Sequence, residues 1–173
     1  MGEIDTFESF RITSRRRATT DRLIALTTRK QNFDRVKKKE DDSMAKSTLN
    51  PAGLPVPRGS YSLVNIAQPG RMVFIAGQTA SDPQGNVVGI GDVRAQTRYI
   101  IEKIQRAIEA AGGTMNDLVA MSVFTTDVRY HRDVNEVRRE LLGSNFPTST
   151  MVQVVALARP ELLLEINATA VIG

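Results

Sequence analysis

Between Leu164 and Ile172 the sequence alternates without a break. Leu164, Ile166, Ala168, Ala170 and Ile172 share one parity, and Glu165, Asn167 and Thr169 the other. Side chains point to opposite faces along a strand, so this is a strand with one apolar face and one polar face. A lone carboxylate in so apolar a strand is costly to bury unless it finds a partner or a wet cleft. Glu165 is therefore the first candidate for chemistry. A second apolar run begins at Phe146, and Ala158-Arg159-Pro160-Glu161 between the two runs is turn-like. The whole segment reads as a closing β-hairpin. Within it Met151, Val155, Leu157 and Leu163 fall on the opposite face from Val152, Val154 and Leu164.

Upstream, the Pro-rich stretch from Asn50 to Pro57 is extended. Tyr61–Ala67 and Met72–Ala76 read as a hairpin joined at Gln68-Pro69-Gly70, and Asp82-Pro83-Gln84-Gly85 as a turn. Asp92 then caps a helix whose apolar positions, among them Val93, Ile100, Ile104 and Ile108, recur at helical spacing. Gly112-Gly113 ends it. A strand over Leu118–Thr126 follows, then a helix from about Asp133 to Leu142 that buries Val134, Val137 and Leu141 and stops at Gly143. The order ββαβαββ predicts an α+β domain with one mixed sheet. Two helices with one apolar stripe each cover a single sheet face. The other face is left as an interaction surface, for which oligomerisation is the economical partner.

Composition removes several chemistries. The chain of 173 residues has no cysteine and a single histidine, His131. Disulfides, thiolate metal sites, a cysteine nucleophile and a polyhistidine metal site are thus excluded, and no metal or cofactor is expected. No apolar run approaches the roughly 20 residues that span a bilayer, so a soluble, cytoplasmic protein is expected. Residues 1–43 carry 11 Lys/Arg against 8 Asp/Glu, and the remainder 12 against 11. The net charge of +4 therefore belongs mainly to that leader, and the near-neutral remainder argues against a nucleic-acid partner. The leader is too acidic for a transit peptide and lacks the apolar core of a signal peptide. It reads as a disordered or non-native extension, with the domain spanning residues 44–173. Gly89-Ile90-Gly91 lacks the third glycine and the βαβ setting of a dinucleotide fingerprint.

Five blocks stand in a recognisable order: GSYSLVNIAQPGRMVFIAGQTASDPQG, AQTRYIIEKIQRAIEAAGG, VFTTDVRYHRDVNEV, FPTSTMVQV and LLEINATAV. In that order and spacing, from about Leu54 to Gly173, the chain resembles the Rid/YjgF family of reactive-intermediate deaminases. The resemblance implies a chorismate-mutase-like fold and a homotrimer that holds a small-molecule ligand in the clefts between subunits. It assigns the cleft aromatic to Tyr61 and the Ser-Gly-Gln tripeptide to Ala76, Gly77 and Gln78, with alanine where serine is usual. The helical asparagine falls on Asn135 and the catalytic glutamate on Glu165. The family pattern Pro-x-Arg-Ser/Thr stands here as Pro147-Thr148-Ser149-Thr150, and Met151 occupies a position that is often cysteine.

Ser149 thus replaces the arginine taken to hold a substrate carboxylate, and serine cannot neutralise an anion. The resemblance then implies an imine or enamine deaminase that does not favour the usual 2-imino acids, unless Arg159 or a cation from another chain fills in. A non-catalytic trimer that binds a small metabolite is the alternative. RNA cleavage or translation inhibition, described for relatives, fits the charge least well. Each candidate also has a structural reading: Glu165 as an interface ion-pair partner, Tyr61 as cross-strand packing, Gly77 as a bulge, Asn135 as a cap or exposed residue, and His131 as an exposed loop residue.

Overall fold

Asp92 starts the first helix as its position predicts. In the computed structural model, which describes residues 46–173, its carboxylate accepts hydrogen bonds from the amides of Arg94 and Ala95 at 2.9 and 3.0 Å. Two otherwise orphaned N–H groups are thereby satisfied. Helix α1 then runs over Val93–Ala110. Gly112, at φ +85°, lets the chain leave it by a left-handed turn that other residues adopt at a cost. Helix α2, His131–Leu142, begins earlier than expected. A 3-10 turn over Val128–Tyr130, capped by Asp127, feeds straight into it.

The helices lie side by side, with Arg94 reaching Glu136 at 2.7 Å and Glu140 at 3.2 Å, and Arg98 also paired with Glu140. These pairs are about half exposed and contribute little each. The buried face of α2 departs from expectation. Val134 and Val137 are buried as predicted, but Asn135 and Arg138 are buried with them, and Leu141 is only half-buried.

The strands are β1 (Lys46–Leu49), β2 (Val64–Ala67), β3 (Arg71–Thr79), β4 (Leu118–Thr125), β5 (Thr148–Gln153) and β6 (Leu164–Ile172). They form a four-stranded mixed sheet in the order β3-β6-β4-β5 and a two-stranded sheet of β1 and β2. Both expected hairpins are corrected here. β5 and β6 do not pair, because β4 lies between them, parallel to β5 and antiparallel to β6. Helix α2 supplies the crossover that a parallel pair requires, which forces β5 beside β4 and leaves the other edge of β4 to β6. The residues from Val154 to Leu163 are therefore a wide connection. Gln96 of α1 holds it, donating to Glu161 O and accepting from Leu163 N, both at 2.8 Å.

Likewise β2 pairs with β1 instead of β3, and β3 pairs with β6. β1 lies in a polar stretch that carries no alternation and gave no strand signal. Its anchor is Lys46, which is 2% exposed and donates to the backbone carbonyls of Leu118 and Asn145. Burial pulls the Lys46 pKa down to about 8. The expected character of residues 1–43 lies outside the described residues.

Both helices cover one face of the main sheet. Ile100, Ile104 and Ile108 of α1 and Val134 of α2 pack on Ile75, Leu118, Met121, Val123, Leu164, Ile166, Ala168 and Ala170. Fully burying one such aliphatic side chain contributes roughly 1.5–3 kcal/mol, so this layer fixes the register of β6. The opposite face is open: Phe74 is 74% exposed and Met72 60%.

Candidate functional site

Register decides which face each candidate occupies. Thr79, Glu165, Phe124 and Val152 stand opposite one another across the sheet, on the open face. One β6 residue with its side chain on the buried face, Ala168, stands in line with Ile75, Met121 and Ser149. Glu165 and Ser149 consequently project from opposite sides of one sheet.

Glu165 is half-buried and has no hydrogen-bond or ion-pair partner among the described residues. Its neighbour explains the conformation. The pairing of β3 with β6 slips between Ile75 and Gln78, so Ala76 and Gly77 form a β-bulge. A methyl group on Gly77 would meet Glu165, lying 2.7 Å from its Cδ carbon. Glycine is thus required here for room: the carboxylate occupies the space a side chain would take. Gly77→Ala is expected to turn Glu165 out of its rotamer, a cost of about 0.5–1.5 kcal/mol. A drop in turnover of up to roughly tenfold, with a melting temperature lowered by only about 2–5 °C, would follow. Steady-state kinetics equal to those of the parent would show that the Glu165 conformation is immaterial.

Ala76 is exposed, and Gln78 folds back so that Nε2 donates to Ala76 O at 3.1 Å. Next to the bulge lies an open hollow of about 430 Å³, whose open-face lining is Phe74, Ala76, Ala120, Ser122, Asn167 and Thr169. Glu165 does not line it. Small residues in the sheet centre create the hollow, while Asn167 is held by the Ser122 amide at 3.2 Å.

A second group forms at the start of α2. Asn135 is 5% exposed, and its Oδ1 accepts from Ser60 N at 3.0 Å and Ser60 Oγ at 2.6 Å. Its Nδ2 donates to His131 O at 2.8 Å and lies 3.0 Å from the His131 ring. The expected bland reading of Asn135 as a cap or surface residue is therefore corrected, since it ties the Gly59–Ser62 segment to the helix. Tyr61 is half-buried, and its ring sits where a side chain on Gly59 would be, 3.0 Å from that position. His131 is exposed as expected but is the first residue of the helix. Ser62 carries the segment onto β5, bonding Pro147 O through its amide at 2.9 Å and Phe146 O through its hydroxyl.

The β5 candidates divide. Met151 packs against the core, and Thr150 is exposed on the open face. Ser149 Oγ is buried with no hydrogen-bond partner. Arg159 donates to Gly85 O at 2.8 Å, so its guanidinium is engaged in the loop region and not at Ser149. Sequence reading missed Ser60, Gln96 and Arg138. A Ser-x-Ser pattern around Tyr61 was visible for the first; the other two look like ordinary exposed helix residues. No cluster of three or more His, Cys, Asp or Glu able to hold a metal occurs among the described residues, and no helix there is long and apolar enough to cross a membrane.

The family profile described as Endoribonuclease L-PSP matches residues 53–172. Among solved structures, a Rid-family protein of unknown function from Yersinia pestis is 28% identical, with a TM-score of 0.69, over 75% of this chain and 100% of that one. RidA from an Antarctic Psychrobacter is 31% identical, with a TM-score of 0.55, over 73% of this chain and 99% of its own. A YjgF-family member from Mycobacterium tuberculosis is 36% identical, with a TM-score of 0.52, over 65% and 86%. The order of elements, the helix-covered mixed sheet and these matches agree, and the chain belongs to the endoribonuclease L-PSP family, the Rid/YjgF family.

Proposed function

We propose that the protein is a Rid-type hydrolase that releases ammonia from a small imine or enamine, with Glu165 as its proton relay. The observation that carries this reading is the unpaired Glu165 carboxylate seated in the Gly77 bulge. Among the described residues no cation of its own chain is paired with Glu165, so the carboxylate is not committed to an intra-chain ion pair. Water adds to the carbon of the protonated imine as the carboxylate takes one of its protons, giving a neutral carbinolamine. The protonated carboxyl then returns that proton to the amine nitrogen, and as the C–N bond breaks the regenerated carboxylate takes the hydroxyl proton and passes it to solvent, leaving a carbonyl and ammonia. One group serves both steps, and such general acid–base catalysis contributes roughly 10²–10⁴-fold.

The active unit in this reading is a homotrimer. Glu165 and the Tyr61–Asn135 group lie on different faces of one chain's sheet, so a single cleft unites them only when two copies meet. The exposed Phe74 and Met72 and the hollow beside them give the open face the apolar character of a subunit contact. The rival reading, a trimer that binds a metabolite without turning it over, is favoured by the absence of an arginine at Ser149.

The decisive assay generates imines in situ with an amino-acid oxidase and traps them as semicarbazones. Addition of the protein should lower semicarbazone formation in proportion to its concentration, and light scattering of the same sample should give three chains per particle. Unchanged trapping across a panel of aliphatic and aromatic imines would leave the metabolite-binding reading in possession.

A further inference from the structure

Hydrolysis needs more than a base, because the attacking water must be held with a lone pair towards the substrate. A carboxylate takes one hydrogen of that water, so a second acceptor is required to fix the other. The open-face surroundings of Glu165 offer few candidates. Across the sheet its neighbours are Thr79 on β3 and Phe124 on β4, at the roughly 4.5–5.5 Å Cβ separation of directly opposed residues. Along β6 the next residue of the same face is Asn167, whose Oδ1 is already committed to the Ser122 amide. Phe124 is apolar, and Gly77 has no side chain. Among the described residues, Thr79 therefore supplies the hydroxyl that stands directly across from the carboxylate.

Thr79 is also held in place. It is half-buried, and its Oγ1 lies 3.3 Å from Ser81 Oγ. Lys103 of α1 fixes the backbone of both residues, donating from Nζ to Thr79 O at 3.1 Å and to Ser81 O at 3.2 Å. A β-branched side chain in a strand has a restricted χ1, which limits where the hydroxyl can go. That hydroxyl has one hydrogen to donate and two lone pairs to accept with. When its hydrogen goes to Ser81, Oγ1 is left as an acceptor across from the carboxylate that occupies the space over Gly77.

We propose that Thr79 is a positioning residue which, together with Glu165, holds the water that attacks the imine carbon. The water donates one hydrogen to the carboxylate and the other to Thr79 Oγ1, which leaves a lone pair free to meet the carbon. Glu165 takes its hydrogen as the C–O bond forms, and Thr79 neither gains nor loses a proton. This rests on the deaminase reading for the reaction, whereas the placement of the water stands without it.

The test joins crystallography of the full chain to trapped-imine kinetics. A crystal structure should show a water within about 2.6–3.2 Å of both Thr79 Oγ1 and a Glu165 carboxylate oxygen. That water should be lost in Thr79→Val, which keeps the shape of the side chain but not the hydroxyl. Thr79→Val should lower kcat by roughly tenfold to a hundredfold with KM unchanged, and Thr79→Ser, which keeps the hydroxyl, should restore most of it. A merely structural threonine would give the reverse order, because serine loses the methyl packing that valine retains. A parent structure with no water bridging the pair, a kcat for Thr79→Val equal to the parent's, or Thr79→Ser as slow as Thr79→Val overturns the proposal. If Thr79→Val does not fold, Ser81→Ala decides. That change frees the Thr79 hydrogen to bond Glu165 in place of the water, so a kcat equal to the parent's overturns the proposal. A bridging water in a protein that hydrolyses no imine would sink the deaminase reading and leave this placement standing, and hydrolysis without the water would do the opposite.

Discussion

Glu165→Gln is expected to leave the protein folded and able to bind ligand while turnover falls by roughly 10²–10⁴-fold. Glutamine has the same shape, so it occupies the space over Gly77 without displacing the bulge. It also keeps the hydrogen-bonding capacity of the side chain. The lost property is the ability to take a proton from water and return it to the departing nitrogen. Because Glu165 has no ion-pair partner among the described residues, neutralising it breaks no intra-chain contact, and the melting temperature should stay within a degree or two. Single-turnover kinetics on trapped imines, with binding measured separately, separate the two effects. Early melting or dissociation, with activity per folded trimer intact, would make Glu165 a structural carboxylate and end its catalytic assignment.

Asn135→Ala should be the costliest change in the second group, at about 2–4 kcal/mol and roughly 10 °C in Tm. The substitution strands both the amide and the hydroxyl of Ser60, which is fully buried. Each buried donor left without an acceptor costs about 1–3 kcal/mol. The Gly59–Ser62 segment, and Tyr61 with it, would then detach from α2. Asn135→Asp keeps the acceptor that Ser60 uses and should retain more of the stability than alanine. Hydrogen exchange at the Ser60 amide checks this directly, since its protection should collapse in the alanine variant. Persistent protection there would mean that the Ser62 bond to Pro147 holds the segment by itself.

The helices, the polarity of β6 and the open apolar face were all legible in the sequence, because each rests on a local period. Asp92 and the isoleucine ladder announce α1, and the alternation from Leu164 places Glu165 opposite the core. Strand partnership was not legible. Alternation says which face a residue takes but not which neighbour it pairs with, so proximity suggested hairpins where the α2 crossover imposes a different order. β1 carries a polar pattern, and its anchor is a lysine whose burial depends on two distant carbonyls. Arg138 was hidden for a related reason: in a helix of charged residues nothing local marks the one that turns inward. At the site, Gly77 was legible as a bulge or strand end, but the carboxylate that makes glycine necessary lies on another strand.

The placement of β6 between β3 and β4 has a consequence for how the molecule is made. The strand that carries Glu165 is synthesised after both of its partners, β3 and β4, have been completed. Until it arrives, β3 and β4 each present an unpaired edge flanked by apolar residues, a template for pairing with another unfinished chain. Closing the gap needs contacts between residues far apart in sequence, which is the slow class of folding event. The candidate site and the sheet are therefore completed in one step, so a chain truncated before Leu164 loses its chemistry and its protection from aggregation together.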